Sequence, residues 1–284
     1  MTSGHPPDLL AHREELAHLM ERGPAGLFLD IDGTLAHLID LPGAVELSVT
    51  VKKALLALSG RLTVVVLTGR EVAAAQRIVG LESVVYVGNH GLEWSDGMLA
   101  STVLPAAQPY VAKVHVVAEQ LERDLLPLPG VFLEEKGPTL SVHYRRSPDS
   151  PAARAEVLAF LNKATAGTDL LVSEGKMVVE VRPALIISKG TALEELVSRK
   201  RLVAIAAFGD DRTDADALRA VRKLRDEGKV EGMAVAVSPA NAPQELVDAA
   251  DYTLEGPVAL EELLVGLVSR LARRCPVAAC RARP

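Results

Sequence analysis

The sequence predicts an α/β fold: a three-layer sandwich around a mainly parallel sheet, with a smaller α+β unit inserted into it. Three observations carry this expectation. Short apolar, β-branched runs alternate with helical patterns from Leu27 to about Gly91, and the alternation resumes at Lys189. Between these stretches the pattern changes to paired short strands with two helices. Hydrophobic residues make up 49% of the 284 residues, which suits strands buried on both faces.

The elements follow in order. Residues 26–29 read as a buried strand, 45–58 as a helix and 62–67 as a strand. Residues 71–79 read as a helix and 84–87 as a strand. The middle begins with a helix over 110–125, apolar on one side. Strands over 131–134 and 139–144, a helix over 151–164 and a hairpin of 170–172 with 177–181 complete it. Residues 105–109 and 182–187 read as linkers. These bounds predict a core of 1–106 plus 185–284 and an inserted unit of 107–184. After Lys189 a helix, a strand over 202–208 and short strands at 233–237 and 252–254 continue the α/β pattern. No internal repeat and no long low-complexity stretch is present.

Chemistry-bearing residues gather where these strands end. The first strand runs into Asp30-Ile31-Asp32-Gly33-Thr34-Leu35. Two carboxylates at one strand mouth are costly to hold close unless a cation or proton compensates them. The pattern suits magnesium-assisted phosphoryl transfer, in which one aspartate attacks phosphorus and its neighbour handles the proton. It also reads as an Asp-rich turn. The second strand ends in Thr68-Gly69-Arg70, where a hydroxyl at a helix start can bind a phosphate oxygen or simply cap the helix. Lys189, in Ser188-Lys189-Gly190-Thr191, starts a helix against its macrodipole; a bound phosphate would explain it, and so would plain solvent exposure. The strand over 202–208 runs into Gly209-Asp210-Asp211-Arg212-Thr213-Asp214, hard oxygen ligands for Mg²⁺ or an acidic helix cap.

Together these four segments resemble the haloacid-dehalogenase-like (HAD-like) phosphatase superfamily, and the match extends toward the trehalose-6-phosphate phosphatases. Gly88-Asn89-His90-Gly91 is similar to that family's GNHG stretch, and His143-Tyr144-Arg145 to its HYR stretch. Glu174-Gly175-Lys176 with Glu180-Val181-Arg182-Pro183 is similar to its sugar-binding cap segment. The likeness runs from about Gly26 to Tyr252. Three positions depart from it: Ile31 replaces a frequent aromatic residue, Ser188 a frequent Asn or Asp, and Ala215 a usual Glu. None removes a catalytic group, although Ala215 leaves any supporting acid there in doubt.

The resemblance implies a Rossmann-like core with an inserted cap of C2 type. It implies Asp30 as nucleophile, Asp32 as general acid and base, and Thr68 and Lys189 on the phosphoryl oxygens. Asp30, Asp32 (through its backbone carbonyl), Asp210, Asp211 and Asp214 would hold or support Mg²⁺. Gly69, Arg70, Asn89, His90, Arg145, Glu174, Lys176 and Glu180 would bind the substrate, with trehalose as the organic product. The bare residues leave other readings open. Glu174, Lys176 and Glu180 also fit an ordinary charged hairpin. His90 also fits a packed domain junction, and Arg145 and Arg146 also fit surface pairing. Lys136 receives no role. The leaving group could instead be a sucrose, mannosyl or glucosyl-polyol phosphate, and a silent sugar-phosphate-binding protein is the remaining alternative.

Composition narrows the partners. Net charge is −6, which argues against a nucleic-acid footprint but not against an anionic substrate in a locally basic pocket. No apolar run is long enough to span a bilayer, and residues 1–7 lack the pattern of a secretory leader. Cys275 and Cys280 lack CxxC spacing and read as a reduced pair, and the arginines at 270, 273, 274, 281 and 283 as a solvated basic tail. The expectation is a cytoplasmic monomer that acts on a small-molecule sugar phosphate, with no nucleic-acid or membrane partner.

Overall fold

The computed structural model describes residues 6–38, 45–125, 128–175, 177–238, 240 and 242–273. Lys176, Cys275, Cys280 and the arginines at 274, 281 and 283 lie outside the described residues. The chain opens with α1 (Arg13–Met20), β1 (Ala25–Leu29), α2 (Val49–Ser59), β2 (Thr63–Leu67), α3 (Val72–Val79) and β3 (Val85–Gly88). The short strands β4 (Glu93–Asp96) and β5 (Thr102–Val103) follow. Next come α4 (Gln108–Asp124), β6 (Phe132–Glu135), β7 (Leu140–His143), α5 (Ser150–Ala164), β8 (Leu170–Gly175) and β9 (Val178–Pro183). The chain then returns through α6 (Lys189–Lys200), β10 (Ala204–Gly209), α7 (Asp214–Asp226), β11 (Glu231–Val237), α8 (Gln244–Ala249), β12 (Tyr252–Leu254) and α9 (Gly256–Arg273).

Eight strands form one sheet in the order β12-β11-β10-β1-β2-β3-β4-β5. The first six in that order are parallel, and β4 and β5 close the edge antiparallel. Leu29 of β1 pairs with Phe208 of β10 on one side and Val66 of β2 on the other. The ends of these three strands therefore meet at one edge, where ligands of open α/β sheets bind. Both faces are buried, as the apolar runs require. Leu27, Leu29, Val64 and Val66 pack into one core cluster with residues of α1, α2 and α9. Phe28, Val65 and Leu67 pack into a second with residues of α6, α7 and α8.

The insertion has its own antiparallel sheet, β6-β7-β9-β8, and its own core. Strand alternation divides its residues. Leu140, Val142, Val179 and Val181 pack against Val114, Val117 and Leu121 of α4 and Val157 and Leu161 of α5. The intervening residues face the other way, toward the core domain's catalytic edge.

Three expectations are corrected at element ends. Residues 45–48 are not helical; α2 starts where the Ser48 hydroxyl accepts a bond from Val51 N at 3.0 Å. Pro109 is not in a linker but in the first turn of α4, where a missing N–H costs nothing. Arg182 and Pro183 belong to β9, paired with Leu171 and Leu170.

Candidate active site

β1 delivers Asp30 to the sheet edge, where it is 5% exposed. The chain then turns sharply at Gly33 (φ +82°), a left-handed conformation that favours glycine. A Cβ at Gly33 would also lie 2.0 Å from Asp210 Oδ2, so this turn admits no side chain. Thr34 Oγ1 donates to Asp210 Oδ1 at 3.3 Å. From the start of α6, Lys189 reaches in and is 2% exposed. Its Nζ donates to Asp30 Oδ1 at 2.8 Å and to Asp214 Oδ1 at 2.6 Å. The other Asp214 oxygen accepts the backbone N–H groups of Asp210 and Asp211, both at 3.1 Å.

The charges here are strongly perturbed. Burial pushes Asp30 up to about 6, with Lys189 opposing and Asp211 and Asp32 adding to the rise. Burial, then Asp30 and Asp211, push Asp210 up to about 8. Burial pulls Lys189 down, but Asp214 and Asp30 outweigh it and hold the ammonium well above its usual range. Asp30, Asp210 and Asp214 each present a carboxylate oxygen, all within 4.8 Å of one another. Hard oxygen donors this close, all three pushed toward the protonated form chiefly by burial, fit a divalent cation that would supply the missing positive charge.

The other two expected metal residues are placed differently. Asp211 Oδ1 accepts from Thr213 N and Oγ1, both at 2.8 Å, and from Asp214 N at 3.1 Å, so it caps the start of α7. Burial pushes Asp211 up, but Lys189 and the Thr213 hydroxyl outweigh it and hold it at about 2. The Asp32 carboxylate is gripped by the Arg70 guanidinium, Nε to Oδ2 at 2.5 Å and Nη2 to Oδ1 at 2.6 Å. Neither carboxylate belongs to the three-acid group.

A cavity of about 1330 Å³ separates this edge from the cap sheet. Asp30, Asp32, Thr68, Gly69, Arg70 and Lys189 line the core side. The cap side is the polar face of its sheet. Phe132, Glu134 and Lys136 come from the β6 strand and its turn, Ser141, His143 and Arg145 from β7 and beyond, and Glu180 and Arg182 from β9. Glu180 stands at the domain junction. Its carboxylate lies 3.6 Å from both His90 Nε2 and Lys136 Nζ and accepts from Ser141 Oγ at 3.2 Å. Burial pushes Glu180 up, but His90 and Lys136 outweigh it and hold it well below the carboxylate range. His90 packs over Gly69, where a Cβ would meet its ring at 2.5 Å, and its ring nitrogens have no hydrogen-bond partner among the described residues.

Two expected substrate residues stand apart. Asn89 does not line the cavity; it is 1% exposed, and its amide bonds to Glu93, Lys136 and Thr139. Glu174 touches the cavity but is ion-paired with Arg154 at 2.6 Å on a half-exposed rim. Conversely, the sequence reading assigned nothing to Glu134, Lys136 or the His143 side chain. His143 Nε2 lies 3.0 Å from Glu134 Oε2 and its ring stacks on Phe132, with centroids 4.5 Å apart. That contact pulls the Glu134 carboxyl below its usual value. The signal was the i, i+2 spacing of Phe132, Glu134 and Lys136, which puts all three on one strand face.

The chain resembles a haloacid dehalogenase-like hydrolase from Bacteroides thetaiotaomicron in fold, with a TM-score of 0.58 at 18% identity, over 86% of this chain and 99% of that one. It superposes on the C-terminal domain of Candida albicans trehalose-6-phosphate phosphatase with a TM-score of 0.76 at 26% identity, over 94% of this chain and 99% of that one. The chain thus has a HAD-like fold. Residues 28–257 match the trehalose-phosphatase family model, and the chain belongs to that family. It is 34% identical over 263 residues to the trehalose-phosphate phosphatase of Mycobacterium avium, covering 90% of this chain and 64% of that one. The Mycobacterium marinum enzyme is 30% identical over 251 residues, covering 87% and 62%. The chain therefore spans just under two thirds of the length of the curated relatives it matches. No described helix is long and apolar enough to cross a membrane.

Proposed function

We propose that the chain hydrolyses trehalose 6-phosphate to trehalose and phosphate, in a Mg²⁺-dependent reaction through an aspartyl-phosphate. The observation that carries this reading is one cavity with a buried Asp30–Lys189 pair on its core side and the polar face of the cap sheet opposite. The first can cleave a phosphomonoester; the second can grip sugar hydroxyls.

Asp30 attacks phosphorus while its Oδ1 is held by Lys189 at 2.8 Å, which keeps the carboxylate ionised against burial. The phosphorus–oxygen bond to the sugar breaks as Asp32 gives its proton to the departing oxygen. Asp32 then takes a proton from the water that cleaves the aspartyl-phosphate. To hold the proton it gives, Asp32 must first leave the Arg70 pair, in which both its oxygens accept, and take that proton from water; the water that later cleaves the aspartyl-phosphate returns it. The Thr68 hydroxyl and Lys189 stabilise charge on the phosphoryl oxygens. Asp30, Asp210 and Asp214 would hold the Mg²⁺, which when bound neutralises phosphate charge and polarises those oxygens.

Residues 1–106 with 185–284 act as the catalytic core in this reading, and 107–184 as the specificity cap. Glu180, Lys136 and Glu134 are the sugar-reading groups, with His90 and Arg145 beside them. In this reading the chain is a cytoplasmic monomer that needs neither nucleic acid nor membrane; the net charge of −6 favours solubility and offers no basic nucleic-acid footprint. Phosphate release from trehalose, sucrose, mannosyl and glucosyl-polyol phosphates tests the assignment. Trehalose 6-phosphate is expected to give the highest kcat/KM, EDTA to abolish it and Mg²⁺ to restore it. Asp30→Asn is expected to be inactive with an unchanged circular dichroism spectrum. A better sugar phosphate, or full activity without metal, would overturn the reading.

A further inference from the structure

We propose that Asn89 is a positioning residue whose amide latches the turn between β6 and β7 onto the core, and thereby sets where Lys136 and Glu180 stand in the cavity. This rests on the cap-and-core phosphatase reading above.

Asn89 and His90 both have left-handed backbones, at φ 48° and 56°. Two such residues in succession persist only where the surroundings hold them. The surroundings come from three directions. Asn89 N donates to Arg70 O at 2.8 Å and His90 N to Thr68 O at 3.1 Å, so the loop is bonded to the segment that ends β2. A Cβ at Gly91 would lie 2.9 Å from the Ser188 carbonyl, so the loop also packs on the chain leading into α6. The third direction is the cap. Asn89 Nδ2 donates to the Lys136 carbonyl at 3.0 Å, and Asn89 Oδ1 accepts from Thr139 Oγ1 at 2.9 Å. The second Nδ2 bond goes to Glu93 Oε2 at 3.0 Å, and that oxygen also accepts from Val72 N at 2.9 Å.

The amide is fully used: both donors and the acceptor are occupied, and nothing faces the cavity. Two of its three bonds cross to the cap and hold both ends of the turn, which closes on itself through Lys136 N to Thr139 O at 2.9 Å. The latched turn carries Lys136, whose Nζ donates to the Gly69 carbonyl at 3.3 Å beside Thr68 and lies 3.6 Å from Glu180 Oε1. If the cap swings away, a buried amide loses its partners, so the latch favours the closed arrangement.

Two variants test this on the full chain. Asn89→Gly keeps a left-handed backbone and deletes the amide; Thr139→Val removes the hydroxyl from the cap side alone. In both, backbone amides over 132–143 are expected to exchange hydrogen faster, while those of β10 keep wild-type protection. For trehalose 6-phosphate, kcat/KM is expected to fall roughly ten- to hundredfold, mainly through KM, because the sugar-reading groups lose their register. Thr139→Val is expected to leave hydrolysis of para-nitrophenyl phosphate unchanged. The double variant is expected to lose no more than Asn89→Gly, since both changes break one device. Unchanged exchange over 136–139, or additive losses in the double variant, would overturn the latch. If Asn89→Gly fails to fold, Thr139→Val decides by the same exchange readout. If wild type does not hydrolyse trehalose 6-phosphate, the functional reading fails, and exchange still decides the latch.

Discussion

Lys189 holds the charge balance of the site. It is buried between Asp30 and Asp214, and among the described residues it is the one cation bonded to both. Removing one partner of a buried ion pair leaves uncompensated charge and typically costs about 3–5 kcal/mol. Lys189→Met is therefore expected to lower unfolding free energy by about that much in metal-free buffer at neutral pH, measured by urea denaturation. A loss within experimental error would mean that the carboxylates take up protons at no cost. The residue itself was legible in sequence as one of two readings, since a lysine against a helix dipole fits a bound anion or plain solvent exposure. Its neighbours in the structure are two carboxylates. Asp30, Thr68 and Asp210 were legible for a different local reason: each follows an apolar run. Asn89 was read through the GNHG likeness as a substrate residue, and its bonds to the cap were not legible, because those partners lie 47 and 50 positions away.

At the scale of elements, α6 accounts for one of the departures from the family pattern. Ser188 accepts from Gly190 N at 3.2 Å and Thr191 N at 3.5 Å, and Thr191 Oγ1 accepts from Ser188 N at 2.9 Å, which makes a capping box. Serine thus serves the role that Asn or Asp would serve there. Ser188→Ala is expected to cost about 1 kcal/mol in urea unfolding, and Ser188→Asp to retain most of the cap. Equal stability of Ala and wild type would show that tertiary packing alone holds the helix start. Ala215 is different: it is fully buried in the core cluster of α6, α7 and β10, so that position packs and does not ligate. Strand and helix types were legible from periodicity, while the linkers were not. Proline at 109 and 183 suggested breaks, yet proline is compatible with a helix's first turn and with a strand end. The edge strands β4 and β5 are too short and mixed to announce themselves, and they join the larger sheet in turn, β4 by pairing with β3 and β5 by pairing with β4.

For the whole molecule the question is how cap and core divide the work, and Glu180 separates the two parts. It belongs to the cap sheet, yet its carboxylate lies 3.6 Å from both His90 of the core and Lys136 of the latched turn. Glu174, by contrast, is paired with Arg154 on the exposed rim, where solvent screens an ion pair and leaves it contributing little. Glu180→Gln keeps the shape and an acceptor for Ser141 but removes the charge. A charge-assisted bond to a sugar hydroxyl is worth about 1.5–3 kcal/mol, so kcat/KM for trehalose 6-phosphate is expected to fall about ten- to a hundredfold. Para-nitrophenyl phosphate has no sugar to grip and is expected to be turned over at the wild-type rate. Glu174→Ala is expected to change neither rate appreciably. Glu180 also sets an acid limb of stability. Its folded-state pKa lies below the ordinary 4.5, so its stabilising contribution is complete above that value and is lost as pH falls through the folded value. Wild type is therefore expected to exceed Glu180→Gln in stability most at pH 7, with the gap narrowing as the pH drops well below 4.5. Urea midpoints at both ends of that range measure it. A gap independent of pH would place the effect in packing, and equal kinetic losses on both substrates would place Glu180 in domain docking instead of sugar reading.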